Sequence, residues 1–355
     1  MASWIDGVMV EHDVALRAAA TLLVGARLPA ITGLVADVDD IRAALRLAES
    51  IGAMVDPLAS PQLYAALGAL AATGTIATTA DEAVARADFV LAVGEVAGRA
   101  PLLRRMAGSS PVTGRTAGCA RTIVALGGSS PGDIEHLRFP LNQGGVAATI
   151  GLLRAIVSGR LSGEASLAGL PEKLRGARFG VVLYQPEELG ELAVQMLTEL
   201  LQELNDTARC FALPLSDEWQ GQSVLQVSAW TTGRGPRVGF GRGFAEHDPW
   251  RFDARRAAAA GEIEAVLWLA PLPAPPQPFG SDLPVVAMVG GATGREGRVV
   301  MEVAIPGTDR DGSLWDERRG AIGFQKAERP GDAVVAARAL AQLEREVLRL
   351  RHASC

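Results

Sequence analysis

The sequence predicts an α/β protein organised around parallel sheet, and three observations carry that expectation. "LPAITGLVAD", "VDDIRAALRLAESIGA" and "AMVD" (residues 28–56) read as strand, helix and strand. Such a unit implies parallel strands joined by a right-handed crossover. The same rhythm of short apolar segments and segments of helical period then continues to the C-terminal end. No repeat of solenoid period interrupts it, and a composition of 48% hydrophobic and 21% charged residues over 355 positions is that of an ordinary globular chain. That length suits about two or three domains.

Each element has a local reason. Residues 14–27 place Leu16, Ala19, Ala20 and Leu23 on one helical face. The helix after "LPAITGLVAD" is expected to be capped by Asp39 or Asp40, to bury Ile41, Leu45 and Ala48, and to close at Gly52. "SPQLYAALGALAATG" and "DEAVARAD" are helical; "FVLAVGEV" and "TIVALGGSSPG" are strands, the second ending in a Gly/Ser/Pro turn. "GGVAATIGLLRAIVSGRL" is an apolar helix. "SGEASLAGLPEKLRGA" is a polar joint and a plausible domain boundary. A second series starts at "RFGVVLYQP" and continues with the amphipathic helix "ELAVQMLTELLQELNDT" and the strand "ARCFALPL". "AVLWLAPLPAPPQP" is a strand running into a proline-rich loop, "LPVVAMVGG" and "RVVMEVAIPG" are strands, and the C-terminal helix ends in a basic turn that suits its dipole. Residues 219–252 hold six aromatics among glycines and arginines and are expected to be irregular chain on a core or partner surface, with a ligand loop as the alternative.

The bulk numbers exclude several classes. A net charge of −6 gives no broad footprint for a nucleic-acid backbone. The cysteines, Cys119, Cys210 and Cys355, are odd in number and too far apart for a Cys-x-x-Cys metal site, which fits a reducing cytoplasm. The N-terminal segment has early acids and no secretion-signal pattern, and no run of 18 apolar residues predicts a membrane span. Only Lys173 and Lys326 are lysines, so nearly every cation is an arginine.

Candidate chemistry is sparse. "GGSSPGD" (127–133) lacks both dinucleotide and Walker spacing, and "VGGATGREGR" (289–298) runs toward a strand rather than opening a helix. His12, His136, His247 and His352 form no ligand pair. His247 lies between Glu246 and Asp248 but reads by default as a hydrogen-bonded loop His. Cys119 lies near Arg115 and Arg121, where a thiolate would be favoured, but without a visible base it reads as a quiet Cys beside a strand. From residue chemistry alone the chain has no demonstrable active site.

The ordered set "PAITGLVADVDDIRAALRLAESIGAMVD", "DEAVARADFVLAVGEV", "ARFGVVLYQP", "VLQVSAWTTGRGPRVGFGRGF", "FDARRAAAAGEIEAVLWLAPLPA" and "VAIPGTDRDGSLWDERRGAIGFQKAERP" spans nearly the whole chain. It resembles the B subunit of formylmethanofuran dehydrogenase, a molybdopterin oxidoreductase-like family. The resemblance is closer to the shortened form in the formyltransferase/hydrolase complex of methylotrophic bacteria. It implies two interleaved doubly wound domains, residues 1–58 with 172–355 and an inserted domain at 59–171, without the iron–sulfur N-terminal segment.

The departures from the redox members carry the functional expectation. Those members place a metal-ligating Cys after the "VD" strand. Here that corner reads Ser60, Pro61, Gln62, Leu63, with no soft thiolate for molybdenum or tungsten. No Cys precedes residue 119 to hold an iron–sulfur cluster in the family way. A family Arg-Gly aligns with Ser216–Asp217, an acid where a cation would favour an anionic cofactor. Leu63 and Tyr64 are candidates to fill the old cleft. The chain is therefore expected to have no catalytic, cofactor or metal residues, its molybdopterin or tungstopterin and iron–sulfur cluster lost. It would be a cytoplasmic scaffold subunit beside amidohydrolase-like, formyltransferase and β-helical partners that carry a formyl group from a tetrahydromethanopterin to a methanofuran-like carrier and hydrolyse it to formate. Residues 219–252 and the loop 271–278 are the expected interfaces. Trp230, Arg234, Arg237 and Arg242 are candidate carrier or interface contacts, the arginines for an acidic carrier tail. The alternatives are a metal–pterin redox subunit and a free-standing small-molecule or nucleotide-binding protein.

Overall fold

The computed structural model describes residues 2–128, 134–215 and 219–353. The chain divides into two compact units: residues 1–60, 217–315 and 322–355 form the first, and residues 61–216 with 316–321 form the second.

The first unit is built on a nine-stranded sheet. Its centre is five parallel strands in the order Met54–Pro57, Pro29–Gly33, Ala265–Ala270, Val285–Val289, Val299–Glu302. In chain order this is 2-1-3-4-5, one of the two common doubly wound arrangements. Short antiparallel strands finish both edges: Val238–Gly239 and Glu246–His247 on one side, Ser3–Ile5 and Val8–Met9 on the other. Strand alternation sorts the side chains onto two faces. Ile31, Val55, Leu267, Leu269, Val286 and Met288 pack beneath the helices His12–Gly25, Val38–Ile51 and Ala336–Ala353. Ala30, Met54, Val266, Trp268, Val285 and Ala287 pack on the other face with Phe252 and Ala257.

Helix Val38–Ile51 is capped by Asp37 rather than by Asp39 or Asp40: its side chain accepts from the Asp40 N–H at 3.1 Å. Three acids stand at this helix start, and only Asp37 has the extended backbone that a cap requires. Gly52 ends the helix with φ 70°, as expected. Residues 219–252 are not all irregular, since Gly221–Thr232 is a helix with Val224 and Val227 in the core.

The second unit is a five-stranded, wholly parallel sheet ordered Leu137–Phe139, Thr122–Leu126, Phe89–Val93, Gly180–Tyr184, Cys210–Pro214. In chain order this is 3-2-1-4-5, the other doubly wound arrangement. It corrects the expected boundary at 171/172. Strand Gly180–Tyr184 pairs in register with Phe89–Val93, so the inserted unit runs on to residue 216. The polar joint also proves to be structure. Leu167, Leu170 and Leu174 are all buried in this unit's core, the last two on the helix Leu170–Gly176.

Arg121 ties this unit together. Its guanidinium donates to the carbonyls of Ala87 (2.7 Å), Val84 (2.6 Å), Ser109 (2.9 Å) and Met106, thus collecting chain ends left by the helices Ala80–Arg86 and Pro101–Ala107. Val84 lies in the last turn of its helix, where a carbonyl has no intrahelical amide left to pair with. Arg121 is thus committed to backbone carbonyls, and it is Arg178 whose Nη1 lies 3.8 Å from the Cys119 Sγ. Arg121→Met leaves several half-buried carbonyls unsatisfied and is expected to cost about 3 kcal/mol or more. A drop in the urea midpoint with an unchanged slope would show it.

Candidate functional site

The corner that the sequence marks, after strand Met54–Pro57, holds a buried polar knot. Asp56 is 6% exposed and Ser60 fully buried. Asp56 Oδ1 accepts from Ser60 Oγ at 2.5 Å and from Arg237 Nε at 3.0 Å; Oδ2 accepts from the Ala254 N–H at 2.8 Å. Arg237 continues the knot, with Nη2 2.7 Å from Asp253 Oδ2 and Nη1 donating to the Pro249 carbonyl at 2.6 Å. Asp253 in turn caps the helix Ala254–Ala259. Burial pushes the Asp56 carboxyl above its ordinary range, against the opposing pull of Arg237, Ser60 and the Ala254 amide.

This donor set does not fit a metal–pterin group. The Ser60 hydroxyl is committed to Asp56, Pro61 and Leu63 offer no lone pair for a metal, and the Gln62 amide is a hard oxygen donor where a soft thiolate is needed. Both described cysteines lie in the second unit, and burial pushes the Cys210 thiol up to about 12. Leu63 is buried and Tyr64 half-buried.

The other places where a doubly wound sheet takes a ligand are also occupied by the chain. The expected crevice lies beyond the carboxyl ends of the strands, where the strand order reverses. In the first unit that point falls between Pro29–Gly33 and Ala265–Ala270. There Val35 N–H donates to the Leu269 carbonyl and Leu272 N–H to the Val35 carbonyl, both at 3.1 Å, and Leu34 and Val35 are fully buried. Gly33, with φ 78°, permits the approach, because a Cβ there would sit 2.7 Å from the Leu269 oxygen. In the second unit the point falls between Phe89–Val93 and Gly180–Tyr184. The amides of Glu95 and Val96, where a phosphate would dock, donate to the Glu188 carboxylate at 2.6 and 3.0 Å.

The "GGATG" loop repeats the pattern. Glu296 accepts from the Thr293 amide and hydroxyl at 2.7 Å each, and from the Gly294 and Arg295 amides at 3.0 Å each. Successive amides of this kind make an anion-binding nest, and here a side chain of the same loop fills it. Burial alone would raise the Glu296 pKa, but these hydrogen bonds hold it below its usual value. The nest borders a cleft of about 420 Å³ lined by Trp268, Leu272 and Pro273 to Pro276. Glu296→Ala is expected to vacate the nest. Stability falls by about 1–3 kcal/mol, and the melting temperature of the variant, unlike that of the native chain, rises with inorganic phosphate.

The individually predicted residues disperse. Arg237, predicted as a surface contact, is drawn into the Asp56 knot and its side chain is 12% exposed, because a buried carboxylate needs a cation. Trp230 is 56% exposed, Arg234 is exposed, and the Arg242 side chain pairs with Glu246 at 3.1 Å while lying 5.7 Å over the Phe244 ring. His247 is an exposed residue of the short edge strand Glu246–His247, and its Nδ1 meets the Arg237 carbonyl at 2.9 Å. Ser216–Asp217 and most of "GGSSPGD" lie outside the described residues.

A second buried ion cluster had no sequence signal. Arg310 reaches both Asp37 oxygens at 2.9 Å and Asp40 Oδ2 at 2.6 Å, and Asp40 Oδ1 accepts from the Ala337 amide at 2.8 Å. One guanidinium neutralises one carboxylate. Burial and the neighbouring Asp37 raise Asp40 to about 7, while for Asp37 burial is outweighed by Arg310, which holds it low. Glu296 had a faint signal, since Thr293-x-x-Glu296 is the pattern of a capping box.

No family model matches the sequence. The chain is 45% identical over 334 residues to the B subunit of the formyltransferase/hydrolase complex Fhc of Methylorubrum extorquens, a match covering 93% of this chain and 92% of that one. It is also similar, with a TM-score of 0.94 and 44% identity over 99% of both chains, to a chain in the X-ray crystal structure of the formyltransferase/hydrolase complex (FhcABCD) from Methylorubrum extorquens in complex with methylofuran.

Proposed function

The chain belongs to the family of the B subunits of formyltransferase/hydrolase complexes, and from that premise we propose that it is a structural subunit without a catalytic centre of its own. The observation that carries the reading is the Asp56–Ser60–Arg237–Asp253 knot, which uses up the corner where the redox relatives of the resembled family hold their metal. The carboxylates of Glu188 and Glu296, seated on amides that could otherwise take phosphate, support the same reading.

In this proposal the fold is a reduced molybdopterin oxidoreductase type, which its discontinuous first unit and the two doubly wound strand orders support. The chain binds neither a metal–pterin nor an iron–sulfur cluster. Its partners are amidohydrolase-like, formyltransferase and β-helical subunits, which move a formyl group between carriers and release formate. The chain docks them and holds their sites in register. The exposed aromatics Trp230, Phe244 and Trp250 support a partner-facing role for 219–252. No helix among the described residues is long and apolar enough to cross a membrane.

The test is reconstitution. The partner chains assembled without this one are expected to lose most of the coupled formyl-transfer and hydrolysis activity and to regain it when it is added. This chain by itself should show neither activity. Formate release by the isolated chain would contradict the proposal.

A further inference from the structure

We propose that the groove between the helices Val38–Ile51 and Gly221–Thr232 is the seat of an acidic, apolar-tipped segment from one of the partner chains; this rests on the reading of the chain as a structural subunit. The groove has a volume of about 640 Å³ and lies wholly within the first unit. Its floor is apolar, with Val38, Leu45 and Phe240. Its rim carries two large aromatics held out to solvent, Trp230 at 56% and Phe244 at 55% exposure. Trp230 sits on the last turn of a helix closed by Gly233, and Phe244 lies 5.7 Å under the Arg242 guanidinium. An exposed aromatic fixed in place presents large apolar area at little entropic cost, the property of interface anchors.

Charge selects the occupant. Arg42 and Arg46 stand one helical turn apart on the wall, and among the described residues Glu49 is the only acid lining the groove, leaving it net positive by one (two arginines less one glutamate). The chain as a whole carries −6, whereas the groove lining carries this single net positive charge. Arg42 pairs with Asp39 at 3.8 Å, both side chains more than half exposed, and such a pair is worth little. The occupant that matches is a polypeptide segment with one or two carboxylates for Arg42 and Arg46 and an aliphatic or aromatic side chain for the cleft between Trp230 and Phe244.

The test measures the affinity of the full chain for the remaining subunits of its complex, purified without it. Two double variants are compared with the native chain, Trp230→Ala with Phe244→Ala and Arg42→Glu with Arg46→Glu. All four residues are surface residues, so melting temperatures are expected to stay near native. Each pair should weaken assembly at least tenfold. The native affinity should fall with salt, and the charge-reversed variant should lose that dependence. Native-like affinity in both variants would overturn the groove while leaving the subunit reading intact. Failure of the native chain to assemble would overturn the subunit reading itself. A dimer of the isolated chain that the aromatic variant abolishes would make the occupant a second copy and overturn the proposal.

Discussion

Arg310→Met is expected to destabilise the chain by about 3–5 kcal/mol, the cost of leaving buried carboxylates without their cation. Asp37 and Asp40 are 1% and 0% exposed as side chains, and Arg310 is the cation that touches both. The cluster joins the start of helix Val38–Ile51, the loop around residue 310 and the first turn of the C-terminal helix through the Ala337 amide. Arg310→Lys keeps the charge but cannot fork between two carboxylates, so it should recover only part of the loss. Asp40→Asn in the methionine background should recover another part, since it removes one uncompensated acid. The cluster also sets a pH dependence. Asp40 is raised in the fold from the ordinary carboxylate range to about 7, so the folded chain holds a proton that the unfolded chain releases. Its contribution is complete in acid and is lost as pH rises toward about 7. The Asp40→Asn variant should therefore melt with a flatter pH profile across that window than the native chain.

Arg237→Met should be nearly as damaging, again about 3–5 kcal/mol, and it addresses the corner directly. It leaves Asp56 buried with only the Ser60 hydroxyl and the Ala254 amide, and it frees Asp253 from its ion pair. The double variant Arg237→Met with Asp56→Leu removes both charges together and is expected to be far less damaged than the single one. Equal losses in the two would mean that Arg237 acts by packing rather than by charge. Residual metal binding is not expected from any of these variants, because the freed groups are hard oxygen donors.

How much of this was legible in the sequence depends on distance along the chain. The unit at residues 28–57 could be read because period and cap signals are local: Gly52 ends its helix, and alternate residues of its strands face opposite layers. Helix Gly221–Thr232 was missed because Gln, Ser and Thr dilute its stripe and glycines flank it. The boundary was misplaced because "SGEASLAGLPEKLRG" is polar on average, although Leu167, Leu170 and Leu174 recur at helical spacing and are buried. At the corner, the missing thiol was plain from the residue types. What fills the corner was not, since Arg237 lies 181 residues from Asp56, and Arg310 lies 273 from Asp37. Ion pairs closed by the fold leave no spacing in the chain to find. Glu188 met the same limit, with its amide partners 92 and 93 residues away.

The central claim is that the corner after Met54–Pro57 has become internal structure. Metal quantification on the native complex, purified with this chain and without chelators, tests it most directly. The account predicts molybdenum and tungsten far below one atom per copy of this chain, with the complex fully active in formyl transfer and hydrolysis. One atom of either metal per chain, lost on removing this chain alone, would contradict it.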